Sequence, residues 1–259
     1  MTENDTDITQ QGEEQPFVDD PQMQAMAEAG ILYGRKKTKT HPKMRPYIFT
    51  TRNTIEIIDL AKTKEKLEQA KDFVQAAASK NGMLLFVGTQ PAARSIIQET
   101  ASRYAYPYVN NRWLGGTLTN FKVISKRIEY LKKLRLDLVS GALDKYTKRE
   151  RVQFNKELGR LEQLLSGLEN LSALPEALFV VNVEEHTTAV REAKRLHIPV
   201  VAIVGTASDP NTIDYPIPAN DAARSSIVYL VVELEEAIKK GIKERKEKPL
   251  ENKKEAGGQ

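Results

Sequence analysis

Three features of this 259-residue chain predict an α/β fold with a parallel sheet flanked by helices and an inserted antiparallel α-helical hairpin. The first is a set of short, unbroken apolar runs, "GMLLFVGT", "EALFVVNV" and "IPVVAIVGT". Runs that do not alternate belong to strands covered on both faces, as in parallel sheets. The second is the helical character of the stretches between them, "QPAARSIIQETASRYA" and "EEHTTAVREAKRLH", which read as crossovers. The third is a charged, leucine-rich insertion from Asn120 to Leu174 that the sheet does not need.

Residues 1–22 form an acidic extension, with Glu3, Asp5, Asp7, Glu13 and Glu14 and no basic residue before position 35; this composition predicts disorder. In "YIFTTRNTIEIIDL" two apolar runs flank Arg52-Asn53, which predicts a β-hairpin. The helix "TKEKLEQAKDFVQAAASKNG" stops at Asn81-Gly82, and the next helix starts near Pro91, where proline is preferred. "YPYVN" is a further strand. In the insertion, Phe121, Ile124, Ile128 and Leu131 recur at three-and-four spacing, as do Phe154, Leu158, Leu161, Leu165 and Leu168. Each set is one apolar stripe, and with Ser140-Gly141 between them the two helices are expected to bury each other's stripe. A last helix starts near Asp221, and residues 246–259 read as a disordered charged tail. The predicted organisation is therefore a core of 23–118 and 175–245 interrupted by a hairpin at 119–174.

Composition narrows the function. Without cysteine there is no disulfide framework, thiolate zinc site or cysteine nucleophile. No apolar run has the length of a membrane span, and the acidic start is unlike a presequence, so the cytoplasm is the expected location and no membrane partner is expected. Net charge is only +4, so its distribution matters more than its sum. Residues 29–55 contain no acid but carry Arg35, Lys36, Lys37, Lys39, Lys43, Arg45 and Arg52, interleaved with Tyr33, Tyr47 and Phe49. Uncompensated cations with interleaved aromatics point to an anionic partner rather than to a merely solvated face. The hairpin presents Lys122, Lys126, Arg127, Lys132, Lys133 and Arg135, then Lys145, Lys148, Arg149 and Arg151 near its tip, which suits an arm reaching a partner.

"YVNNRWLGGTLTNF" places the only tryptophan beside an arginine and a glycine pair, at the entry to the hairpin. Arg112 and Trp113 are residue types that stack on flat partners, and Gly115-Gly116 permits a tight turn or close approach. The plainer reading makes Trp113 a core plug and the glycines punctuation. Catalysis has little support. Glu184, Glu185, His186 and Asp209 fall in loops at the carboxyl ends of strands, where α/β sheets hold ligands. Neither phosphate-cradling glycine fingerprint follows a strand, and His41, His186 and His197 lack metal-ligand spacing. No catalytic residue, cofactor, metal or small-molecule substrate is expected. The alternative is a sugar- or nucleotide-binding α/β enzyme that has acquired a hairpin.

The series "HPKMRPYIF", "IIDLAKT", "LFVGTQ", "YVNNRWLGGTLTNFKVI", "LPEALFVVNVEEHTTAVREAKRLHIPVVAIVGTASDP" and "DYPIPANDAARSSI" resembles the bacterial-type small ribosomal subunit protein S-two family. The likeness runs in order from about Met23 to about Lys240. It implies a flavodoxin-like sheet carrying a coiled-coil arm. It also implies a non-enzymatic role on the small subunit, with contacts to ribosomal RNA, to neighbouring proteins and to the large messenger-binding protein. Arg35, Lys36, Lys37, Lys39, Lys43, Arg45, Arg52, Arg112, Lys122, Lys126, Arg127, Lys145, Lys148 and Arg149 become candidate RNA contacts. Trp113, Gly115 and Gly116 become the joint between sheet and arm, with Trp113 anchoring its base and the glycines allowing close approach; Arg112 either braces that corner or touches phosphate. The chain departs from the family at "ILYGRKK", where Tyr33 and Arg35 replace the usual histidines. That takes away the ligands of a metal- or histidine-dependent contact and favours phosphate. Gly205, Ala207, Ser208 and Ala222 likewise stand where the family has polar or acidic residues.

Overall fold

The computed structural model of the chain describes residues 20–143 and 145–255. Its first helix, α1 (Pro21–Glu28), begins inside the stretch expected to be disordered; residues 1–19 lie outside the described residues. The Asp20 carboxylate accepts from the Gln22 N–H at 3.0 Å, and Pro21 takes the first position, where a missing N–H costs nothing.

A small antiparallel sheet follows, made of β1 (Tyr33–Lys36), β2 (Ile48–Arg52) and β3 (Ile55–Ile58) in the order β1-β3-β2. The expected hairpin is β2–β3, but Arg52 ends the strand and the turn is Asn53-Thr54, at φ 48° and 66°. β1 was not anticipated, because Tyr-Gly-Arg-Lys carries no apolar alternation. Between β1 and β2 the chain forms two short 3₁₀ stretches, Lys37–Lys39 and Pro42–Tyr47.

The main sheet comprises β4 (Leu84–Val87), β5 (Tyr108–Val109), β6 (Ala177–Val181), β7 (Val200–Val204) and β8 (Tyr215–Pro218). All its pairings are parallel, in the order β5-β4-β6-β7-β8. Counted from β4, this is the doubly wound order 2-1-3-4-5 of flavodoxin-like sheets. The unbroken apolar runs are explained by what covers each face. Leu84, Phe86, Ala177, Phe179, Val201 and Ile203 join one buried cluster, whereas Leu85, Val87, Leu178, Val180, Val200 and Ala202 join the other. Successive residues point to opposite faces, so both parities must be apolar.

On the first face lie α1, α2 (Leu60–Ser79), α3 (Pro91–Arg103) and α7 (Arg224–Glu255). Asp59 caps α2 through the Ala61 and Lys62 N–H groups, at 3.0 and 3.4 Å. Buried Glu235 of α7 accepts from Arg103 and Tyr104, tying α7 to the end of α3. α7 continues through 246–255, where a disordered tail was expected; residues 256–259 lie outside the described residues. The second face holds α6 (Thr187–Arg195) and the inner parts of α4 (Phe121–Val139) and α5 (Lys148–Leu165).

The two helices of the insertion do not bury their stripes only against each other, as the sequence suggested. Ile124, Ile128 and Leu131 of α4, with Leu165, Leu168 and Leu171 at the end of α5 and beyond, share one cluster with Leu85, Val87, Val109 and Leu178 of the sheet. The base of the insertion is therefore core. Away from it Leu136, Val139 and Val152, off the stripes, are exposed, while Leu134 and Leu143 stay buried. Arg135 bridges the helices, pairing with Glu162 at 3.2 Å and Glu169 at 3.0 Å. At its start, α5 has a capping box between Thr147 and Glu150, which tolerates an otherwise exposed helix start.

Candidate nucleic-acid interface

The basic stretch is fastened to the main sheet by its own backbone and by two of its cations. Thr206, just past β7, accepts the Arg35 N–H on its hydroxyl at 2.8 Å, and its carbonyl accepts the His41 N–H at 2.8 Å. The half-buried Arg35 guanidinium lies between Glu184 (3.5 Å) and Asp221 (3.7 Å), and Lys43 pairs with Asp209 at 2.7 Å. These two cations thus hold the stretch on the rim formed by the carboxyl ends of β6, β7 and β8. Asp221 is 3% exposed, and burial pushes its carboxyl above the ordinary range, with Arg35 pulling the other way. Gly205 is required beside it, because a Cβ there would lie 2.5 Å from the carboxylate.

With Arg35 and Lys43 engaged inward, Lys36, Lys37, Lys39 and Arg45 remain as a row of exposed cations, and Arg52 is exposed at the end of β2. Among the described residues no carboxylate forms an ion pair with Lys36, Lys37, Lys39 or Arg45. The row lies on short strand ends and 3₁₀ turns that are hydrogen-bonded at several points, so the backbone that carries these side chains is anchored. Phe49 and Tyr33 stand exposed in the same small sheet, each with more than half of its surface open.

The corner from Trp113 to Thr119 is organised by a residue that the sequence reading did not nominate. Glu192 of α6 is buried, and its carboxylate gathers the whole corner. Oε1 accepts from the Trp113 indole N–H at 3.1 Å and the Gly116 N–H at 2.8 Å. Oε2 accepts from the Leu118 and Thr119 N–H groups at 3.0 and 3.1 Å and from the Thr119 hydroxyl at 3.2 Å. Burial alone would raise its pKa, but the bonds from Gly116, Trp113, Thr119 and Leu118 outweigh it and hold the carboxyl below its ordinary value. One signal was available: Glu192 lies among Ala189, Val190 and Ala193 on the apolar face of its helix.

Within this corner Trp113 is half-buried and packs against the second core cluster, and it is not the fully covered plug of the plainer reading. The glycines differ from expectation. Gly116 is needed for its backbone, at φ 88°, while the space around Gly115 is open and no close approach depends on it. Arg112 is exposed and takes no part in the Glu192 network. On the insertion, Lys122, Lys126 and Arg127 are exposed on α4, and Lys145, Lys148 and Arg149 are exposed where α5 begins. There Lys145 sits over the Tyr146 ring at 5.3 Å, and Tyr146 packs edge-on against Phe154.

Three of the four residues considered for acid–base chemistry are held in internal contacts, and the fourth, Glu185, is exposed. Glu184 and Asp209 pair with Arg35 and Lys43. His186 is buried, its Nδ1 lies 2.8 Å from the Asn182 carbonyl oxygen, and burial lowers its pKa. An open cleft of about 390 Å³ does lie at the rim, but Arg35 and Asp221, already facing each other, are among its lining residues. Among the described residues no three His, Cys, Asp or Glu side chains are grouped to hold a metal ion, and no helix is long and apolar enough to cross a membrane.

Fold and site together define a basic α/β scaffold, with ion pairs at its rim and cations displayed on turns and helix surfaces. The family model described as Ribosomal protein S2 matches residues 26–241, and the chain belongs to that family. It is accordingly a structural ribosomal protein of the small subunit, part of a ribonucleoprotein that acts in translation, in a family known to be non-catalytic.

Proposed function

We propose that the chain binds small-subunit ribosomal RNA through the cation row Lys36, Lys37, Lys39 and Arg45, with Arg52 and Arg112 as flanking contacts. The observation that carries this reading is the row itself: exposed, unpaired with any described carboxylate, and fixed to the sheet by the Thr206 bonds. Phosphates recognised in this way are read by charge and position rather than by base identity. Arg35 and Lys43 contribute by holding the row in place rather than by meeting RNA directly.

In this proposal α4 and α5 form an antiparallel arm whose base is core and whose outer half reaches a neighbour. Lys122, Lys126 and Arg127 face RNA along its length, while Lys145, Lys148 and Arg149 do so at its tip. The Glu192 corner fixes the angle of the arm against the sheet. Neighbouring small-subunit proteins, including the large messenger-binding protein, are the expected protein partners, and the cytoplasmic ribosome is the expected location. Cosedimentation of the chain with small subunits depleted of it tests the proposal. Association should fall steeply as salt rises, because each neutralised phosphate releases counterions. Salt-independent association would contradict it.

A further inference from the structure

We propose that the outer face of α6 is a second phosphate-binding surface, on which Arg191, Lys194 and Arg195 meet the backbone of small-subunit ribosomal RNA. The proposal rests on the RNA-binding reading above, but it concerns cations that the row does not include.

Helical geometry puts the three side chains together. Arg191 lies three and four residues before Lys194 and Arg195, the spacing that makes neighbours on a helix, and all three are exposed. The covered side of α6 is taken by Ala189, Val190, Glu192 and Ala193. Its one acid, Glu192, is thus turned inward, onto Trp113, Gly116, Leu118 and Thr119. Thr187 and Thr188, both uncharged, complete the exposed face.

A charged helix face is ordinarily only solvated, and solvated faces mix signs. In this chain α2 exposes Lys62, Glu65, Glu68 and Asp72, and α3 exposes Arg94, Glu99 and Arg103. α6 exposes one sign alone. Glu185, the nearest exposed acid in sequence, precedes the helix and stands at the opposite end from Lys194 and Arg195. Among the described residues no carboxylate forms an ion pair with Arg191, Lys194 or Arg195.

Position is the second support. Glu192, next to Arg191 and three residues before Arg195, is the side chain that gathers the corner from Trp113 to Thr119. Arg112 precedes that corner and Lys122 follows it, and both are exposed. The α6 face therefore borders two candidate contacts at the place where the insertion leaves the sheet. One RNA segment crossing there would meet cations of the strand end, the helix and the insertion together. A phosphate backbone suits such a surface, since it offers regularly spaced charge and needs no base readout. Bound in this way, RNA would reinforce the hold that Glu192 has on the corner.

Acetylation of the full chain with and without small-subunit ribosomal RNA, mapped by mass spectrometry, tests the surface on the parent protein. Lys194 should become protected, as should Lys39 of the row. Protection of Lys39 with Lys194 unchanged would overturn the proposal and spare the row. Protection of neither would reject the RNA-binding reading and the proposal with it. Charge is then tested through the slope of log affinity against log salt. Joint Arg191→Gln, Lys194→Gln and Arg195→Gln should make it shallower by about 2, at roughly 0.7–0.9 per lost phosphate contact. Joint Arg191→Lys and Arg195→Lys should keep the parental slope, because charge is retained although the planar fork is lost. A parental slope in the glutamine variant, at an unaltered urea midpoint, would show that the face is only solvated and would overturn the proposal.

Discussion

Removing the Glu192 carboxylate would strand the donors of Trp113, Gly116, Leu118 and Thr119 in a corner built around that one side chain. Each buried unmet donor costs about 1–3 kcal/mol, so Glu192→Ala should destabilise the free protein by about 3 kcal/mol or more in urea unfolding. Its titration adds a second test. The folded pKa lies below the ordinary 4.5, so the contribution of Glu192 is fully present above that value and is lost as pH falls through the lower folded pKa. Glu192→Gln should flatten that part of the stability–pH curve; an unchanged curve would show that the carboxylate is not held as described. Trp113→Ala loses a half-buried ring and one hydrogen bond. Its expected cost is about 2–3 kcal/mol, below the range of about 3–5 for a fully buried aromatic. The sequence flagged Trp113 because tryptophan is conspicuous. It left Glu192 unmarked because a glutamate is ordinary on a helix until the helix's buried face is known.

At the scale of elements, the insertion divides into a base that is core and an outer half that is not. Deleting residues 121–172 would remove Leu131, Leu165 and Leu168 from beneath the sheet, each fully covered, and the remainder should fail to fold cooperatively. Replacing only residues 136–155 with a short linker spares those side chains and should leave a cooperative melt with weakened association to small subunits. If the short deletion unfolds the chain, the division is misplaced. The sequence revealed the stripes but not their partners, since three-and-four spacing marks a buried face without saying what buries it. The same limit explains the strands. β4, β6 and β7 were legible because both faces are covered, whereas β8, Tyr-Pro-Ile-Pro, was not anticipated. It stands at the edge of the sheet, where prolines that cannot donate are tolerated.

Across the whole molecule, a net charge of +4 conceals an acidic start, a cation row and a cationic insertion. The charge blocks were legible from composition, but the roles within them were not. Arg35 and Lys43 differ from Lys36 and Lys39 only in meeting Asp221, Glu184 and Asp209 from distant segments. The central claim is that the row binds phosphate as a group of unpaired charges on an anchored backbone. Its most direct test is the slope of log affinity against log salt for small-subunit ribosomal RNA, comparing the parent with the joint Lys36→Gln, Lys37→Gln and Lys39→Gln variant. At roughly 0.7–0.9 per lost phosphate contact, the variant's slope should be shallower by about 2, with its urea midpoint unchanged. An identical slope in a variant of unaltered stability would show that the row is only solvated and would contradict the account.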